Sequence, residues 1–275
     1  MNRSVRSLLP VILAFACTTG NAQQPSSMED RTSWTLGVRA WHASFSSWDV
    51  IKGTQACGVL GISPCPVPDQ AGNIEPENRP MVLIPSVAIR RGSWLLSGAY
   101  SLAPTYRFSV LDQTVTNRRR EADLNLGYFL TPSAVLTLGY KQMHQEVDGG
   151  KTVYRGPTIG LSGSARISDR LSMYANTAFG LPGYFDGNVG PETADSTGRE
   201  KFSVSYSVIE VGLAIPLAVD VWPGSRPIVL TAGYRTQSAK IKNYRLAVDP
   251  SARLSITTNL SDVTQGFVLG ISTTF

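Results

Sequence analysis

Apolar residues alternate with small or polar ones along most of this chain, in segments of roughly ten residues separated by polar linkers. The last segment is the clearest. Phe267, Leu269, Ile271, Thr273 and Phe275 share one face of a strand, and Gly266, Val268, Gly270, Ser272 and Thr274 share the other. The same phasing sets Leu171, Met173, Ala175, Thr177 and Phe179 against Ser172, Tyr174, Asn176, Ala178 and Gly180. It also sets Ala122, Leu124, Leu126, Tyr128 and Leu130 against Glu121, Asp123, Asn125, Gly127 and Phe129. This repeat predicts an all-β protein with strands over 32–42, 81–90, 93–103, 118–130, 134–146, 153–168, 171–181, 201–215, 227–238 and 261–275. One segment breaks rhythm: Phe202, Val204, Tyr206 and Val208 run in one phase and Ile209, Val211, Leu213 and Ile215 in the other, which a β-bulge near Val208 would repair.

The connections alternate as well. Arg91-Gly92-Ser93, Thr131-Pro132-Ser133 and Ser168-Asp169-Arg170 predict tight turns, and most of the intervening linkers are long. Ten antiparallel strands with short turns at one end and long loops at the other predict a closed up-and-down β-barrel with both termini at the short-turn end. Residues 216–226 form the longest connection at that end. Lys240–Val248 and Ala252–Leu260, around Asp249-Pro250, read as extensions of the last two strands; read as a separate hairpin they belong to a twelve-strand alternative, and eight strands is the other alternative.

The small-residue face decides which solvent the apolar face meets. Glycine, serine and threonine with a few ionisable groups suit a barrel interior, whereas a sheet facing water shows more lysine and glutamate. Only 16% of the residues are charged, against about 25% in soluble domains. Mean hydropathy is −0.03. No apolar run approaches the roughly 20 residues of a membrane-spanning helix. Lipid is therefore the expected solvent of the apolar face, and strands tilted by about 45° cross it in roughly 9 to 11 residues. Trp34, Trp94 and Trp222 then fall near the short-turn ends, and Tyr100, Tyr106, Tyr154, Tyr184 and Tyr206 toward the opposite ends, as two interfacial girdles would.

The first residues read as an export signal. Arg3 and Arg6 precede the short apolar run Leu8–Cys17, and Gly20-Asn21-Ala22 offers small residues for cleavage after Ala22. The expected organisation is a signal peptide over 1–22, a short segment over 23–31 and a barrel domain over 32–275. Ala14-Phe15-Ala16 makes a poor lipobox, which argues against lipid modification of Cys17. Without Arg3 and Arg6 the net charge falls from +5 to +3, so the apparent basicity gives no reason to expect nucleic acid. Cys57 and Cys65, close in sequence and exported to an oxidising compartment, are expected to form a disulfide within the first long loop.

With its export signal, its alternating segments over nearly all of the mature chain and its closing strand Gly266-Phe267-Val268-Leu269-Gly270-Ile271-Ser272-Thr273-Thr274-Phe275, the sequence resembles the bacterial outer-membrane β-barrel proteins. The resemblance implies a transmembrane antiparallel barrel in the outer membrane, with short turns in the periplasm and long loops outside. It implies two partners, outer-membrane lipid including lipopolysaccharide and the barrel assembly machinery, with terminal Phe275 as the assembly signal. Oligomeric state is open, with a monomer favoured.

Phase places Arg39, Arg90, Glu121, Asp123, Lys141, Arg166, Glu210 and Arg235 in the lumen. In so narrow a barrel such charges must pair or stay hydrated. Pairing would fill the lumen. Surplus positive charge in an open lumen would instead make a constricted pore favouring anions. Arg118, Arg119 and Arg120 begin a descending strand at the outer rim and are candidates for contact with lipopolysaccharide phosphates, a solvated basic rim being the plain alternative.

Some outer-membrane barrels are enzymes. Omptin proteases use carboxylates and a histidine near the outer rim, and barrel-type lipid A deacylases use a histidine and a serine. His42 with Ser44, and His144 with Glu146 and Asp148, are the candidates here, yet the residues around them match neither motif. No catalytic residue, metal site or cofactor is expected. The first expectation is restricted passage of small solutes through a narrow charged lumen. Surface binding or envelope integrity with a plugged lumen is the alternative, and an outer-membrane hydrolase comes third.

Overall fold

The structure, a computed structural model, describes residues 32–57, 63–74, 76–110, 113–147, 150–189, 201–217, 228–249 and 254–275. The export signal with Cys17, the 23–31 segment and Trp222 lie outside the described residues. Thirteen antiparallel strands make one sheet: β1 Thr32–Cys57, β2 Ser63–Ile74, β3 Met81–Arg91, β4 Trp94–Ser101, β5 Thr105–Val110, β6 Gln113–Thr131, β7 Ala134–Val147, β8 Gly150–Ser168, β9 Leu171–Gly180, β10 Asp186–Val189, β11 Lys201–Leu217, β12 Ile228–Asp249 and β13 Leu254–Thr274.

The ladders trace a ring through β1, β3, β4, β6, β7, β8, β9, β11, β12 and β13 back to β1. Trp34 and Phe275 close its seam by exchanging backbone hydrogen bonds of 3.1 and 2.8 Å. Each segment expected from the sequence overlaps one ring strand, so the count of ten describes the ring and not all thirteen strands. The other three prolong the wall. β10 pairs with both β8 and β11 above the end of β9, after a break at Pro182-Gly183 where Gly183 adopts φ +79°. β5 pairs with β6 beyond β4, and β2 pairs with the far half of β1, placing Pro66 opposite Thr54 and Pro64 opposite Ala56. The expected tight turns join β3 to β4, β6 to β7 and β8 to β9. Gly92 has φ +56°, as a two-residue hairpin with glycine at its first central position requires.

Residues 240–248 and 254–260 prolong β12 and β13, as the extension reading has it. The bulge expected near Val208 is absent. β11 stays in register from Val204 to Leu217 against β12 and through Val208 against β9. What changes at Val208 is the environment. Ile209, Val211, Leu213 and Ile215 point outward and are exposed, whereas Val204 and Tyr206, on the opposite phase, point inward and are buried. β7 behaves alike, with Leu136, Leu138 and Tyr140 outside, then Met143 inside while His144 faces out. The phase is continuous and the polarity inverts. Near the turns the wall is apolar outside and polar inside, as lipid demands. Farther along it is polar outside and apolar inside, like a soluble β-protein.

Outward Trp34, Trp94 and Tyr128 mark the turn end of the apolar belt, and outward Tyr100, Tyr140 and Tyr234 its other edge. Tyr106, Tyr154 and Tyr206 do not join the second girdle as expected; they are buried inside, beyond the point of inversion. Leu138→Arg, outward in the middle of the belt, should destabilise the barrel by about 2–4 kcal/mol. Ser205→Arg, outward beyond it, should change stability by less than about 0.5 kcal/mol. Urea unfolding in lipid vesicles measures both, and equal costs would place the belt elsewhere.

Candidate functional site

Below the inversion the lumen is lined by small residues, and at the inversion it carries charge. Two carboxylates organise the layer. Glu121 on β6 accepts from Arg119 at 2.7 Å and pairs with Lys141 on β7 at 2.9 Å, and Lys141 also reaches Asp123 at 3.0 Å. Glu210 on β11 pairs with Arg39 on β1 at 3.0 Å and Arg235 on β12 at 3.2 Å, and Tyr174 donates to it at 3.1 Å. Gln237 joins the halves, accepting from Arg235 at 3.1 Å and donating to Glu121 at 2.8 Å.

In the ring β12 stands five strands from β6. The bond from Gln237 to Glu121 therefore crosses the lumen, as does the 2.8 Å bond from Arg119 on β6 to Thr264 on β13. The sheet makes room where the lattice needs it. Gly212 and Gly233 lie side by side on β11 and β12, and a Cβ on either would come within 2.8 Å of the Tyr174 ring or hydroxyl, so the paired glycines form the slot that lets Tyr174 reach Glu210.

Three apolar clusters cap the lattice: Met143, Tyr154, Phe185, Val204, Tyr206, Ala239 and Ile241; Trp41, Ala43, Val82, Ile84 and Val268; and Phe45, Tyr106 and Phe108. Each touches a cation through an aromatic ring. Lys141 lies 5.4 Å from the Tyr206 centroid, Arg235 5.1 Å from Trp41 and Arg119 5.9 Å from Phe45, all within cation–π range. Phe185 stacks on Tyr206 at 5.0 Å. On the turn side lies a cavity of about 310 Å³ with a mixed lining that includes Arg39, Asp123, Glu210 and Arg235. An adjoining one of about 530 Å³ reaches Pro132 and Ser133 at the turns.

Six of the eight expected lumen charges meet here: Arg39, Glu121, Asp123, Lys141, Glu210 and Arg235. Arg90 does not join them; it stacks 4.0 Å from Phe129 near the turns. Arg166 is corrected outright, being exposed at the rim and paired with Asp169 at 2.7 Å. Arg119 is a second correction. It is 4% exposed and points inward, leaving Arg118 and Arg120 facing out. Its signal was available, since Arg119 shares the phase of Glu121 and Asp123, and the run of three arginines obscured it. Thr264, Gln237 and Asp262, held by Gln145 at 3.3 Å, were likewise readable by extending the phase of β12 and β13. With Arg119 and Asp262 counted, four cations face four carboxylates, so the positive surplus expected in the lumen is gone from this layer.

His42 and His144 are both exposed on the outer face, and His144 is bonded to Gln142. Among the described residues no group of histidine, cysteine and carboxylate could hold a metal ion. The Cys57 and Cys65 side chains lie outside the described residues, although the backbone register sets Cys57 opposite Ser63 and Cys65 opposite Gln55.

No protein-family model matches the chain, and no curated protein is similar to it. Among solved structures the chain is similar to the outer membrane protease OmpT of Escherichia coli, at 11% identity over 88% of this chain and 97% of that one, with a TM-score of 0.51. Also similar are a FadL homologue of Pseudomonas aeruginosa, at 8% identity, 90% of each chain and a TM-score of 0.33, and the P. putida toluene transporter TodX, at 8%, 90% of each and 0.30. The likeness is one of fold. The closed ring with its outward apolar belt and the likeness to OmpT together define a transmembrane-type antiparallel β-barrel fold.

Lys141→Met leaves buried Glu121 and half-buried Asp123 without their shared cation and should cost about 3–5 kcal/mol in urea unfolding. Arg166→Met, at an exposed pair, should cost less than about 0.5 kcal/mol. A Lys141 variant as stable as wild type would mean that water, not pairing, solvates these carboxylates.

Proposed function

We propose that the ten ring strands cross the outer membrane as a closed, non-conducting barrel whose work is done outside, where its prolonged strands form a rigid surface for binding or for envelope integrity. The observation carrying this reading is the pair of bonds across the lumen, Gln237 to Glu121 and Arg119 to Thr264, beneath three packed apolar clusters. A solute climbing from the periplasm through the vestibule meets a hydrogen-bonded layer of balanced charge and then the packed apolar clusters. Restricted passage, the first expectation from sequence, ranks second because it requires both layers to part.

The protease-like fold gives a hydrolase reading some weight, but fold does not carry function. Both histidines stand on the outer wall rather than in the lumen, and no hydrogen bond or ion pair joins either to a carboxylate among the described residues. On our reading Cys57 and Cys65 staple the tip of the β1–β2 hairpin: they stand on adjacent strands, two rows out of register, so forming the bond requires the tip to shift from this pairing.

Purified protein in planar bilayers should give no reproducible current. A steady conductance from wild-type protein overturns the closed reading. Incubation with basic peptides and with lipopolysaccharide should leave both intact, and a cleavage lost in His42→Ala or His144→Ala would replace this reading with the enzymatic one. Thiol alkylation without reductant should leave Cys57 and Cys65 unlabelled, and labelling of either removes the staple.

A further inference from the structure

On one sector of the outer wall, ladder rows across β6, β7 and β8 grade from lipid to charge. Leu126, Leu138 and Ile159 form one row, then Leu124, Tyr140 and Pro157, then Ala122, Gln142 and Arg155, then Arg120, His144 and Val153, then Arg118, Glu146 and Lys151. Tyr100 on β4 stands opposite Ala122. Each row advances two residues, roughly 7 Å along the strand. The cations therefore begin one row beyond Tyr140, in the row of Tyr100. Between them runs a groove of about 410 Å³ lined by Arg118, Arg120, His144, Lys151 and Tyr100.

Two carboxylates stand near, Glu146 between Arg118 and Lys151 and Asp186 opposite Arg155, which leaves two cations in surplus. Neither carboxylate makes an ion pair with these cations among the described residues. Exposed cations stand elsewhere too, Arg79 before β3 and Arg107 on β5, but among the described residues four gather on consecutive rows only across β6, β7 and β8. At the same level β11 shows Ser203, Ser205 and Ser207, β13 shows Gln265 and Val263, β1 shows His42 and Ser44, and Lys240 on β12 stands by itself.

We infer that the outer groove lined by Arg118, Arg120 and Lys151, with Arg155 beside it in the row of Tyr100, is a binding site for the phosphorylated diglucosamine head of lipopolysaccharide. The guanidinium groups of Arg118, Arg120 and Arg155 present forked donors that suit phosphate oxygens, and the Lys151 ammonium adds a point charge. The tyrosines and the leucines below them lie alongside the acyl chains of the same molecule, so one lipid meets both halves of the graded rows. This inference is independent of whether the lumen conducts.

The test compares binding of bisphosphorylated lipid A with phosphatase-treated lipid A by the full-length mature protein in detergent micelles, read by native mass spectrometry. Arg118→Ser with Arg120→Ser, and separately Lys151→Ser with Arg155→Ser, should each weaken binding of the phosphorylated lipid roughly 30-fold, the loss expected for two cations at an anionic lipid surface. Lys240→Ser, on the opposite sector, should change it less than about twofold, and the treated lipid should bind weakly and alike to every variant. Circular dichroism checks that each variant keeps its barrel. Equal affinity for the two lipids, unchanged affinity in both folded double variants, or an equal loss in Lys240→Ser overturns the assignment.

Discussion

The structure turns on one electrostatic constraint: a charge inside a barrel of this width cannot keep a full hydration shell and must find a protein partner within the lumen. Glu121 and Glu210 each bind two cations, and Gln237 links them over the width of the ring. Everything above follows from that layer. Its cations offer their upper faces to Tyr206, Trp41 and Phe45, and those rings seat three apolar clusters that would otherwise have nothing to rest on in a watery channel.

The inversion of polarity explains what was legible in the sequence and what was not. Alternation alone located the ring strands, because a strand buried on one face and bathed on the other has period two whichever solvent is on which side. It could not say where the solvents exchange places. Val204 and Tyr206 therefore looked like a phase slip needing a bulge, and Tyr106, Tyr154 and Tyr206 looked like a girdle. Arg119 was misplaced for the same reason, since beyond the belt an inward arginine and an outward one sit in similar company.

The strands that escaped prediction are those whose sequences carry little alternation. β2 is interrupted by prolines, β5 has six residues and β10 four. They owe their strand conformation to a neighbour already in place: β10 fills the gap between β8 and β11 left when β9 ends, a tertiary cause that no local pattern reports. The lattice was half legible. Its members on β6 and β7 are strongly charged and in phase, whereas Gln237 and Thr264, which span the lumen, are ordinary polar residues until the ring closes.

The ladder of β2 against β1 puts Pro64 and Pro66 two residues apart, on positions of equal parity opposite Ala56 and Thr54. Proline has no amide hydrogen to give, so both must occupy sites whose amide would otherwise turn away from β1. The rim of β2 facing the surroundings is thus stripped of donors where another chain would dock. In a crowded cell envelope, neighbouring copies are denied the simplest route to fusing their sheets, and the hairpin can stand clear of the membrane without becoming a seed for fibres.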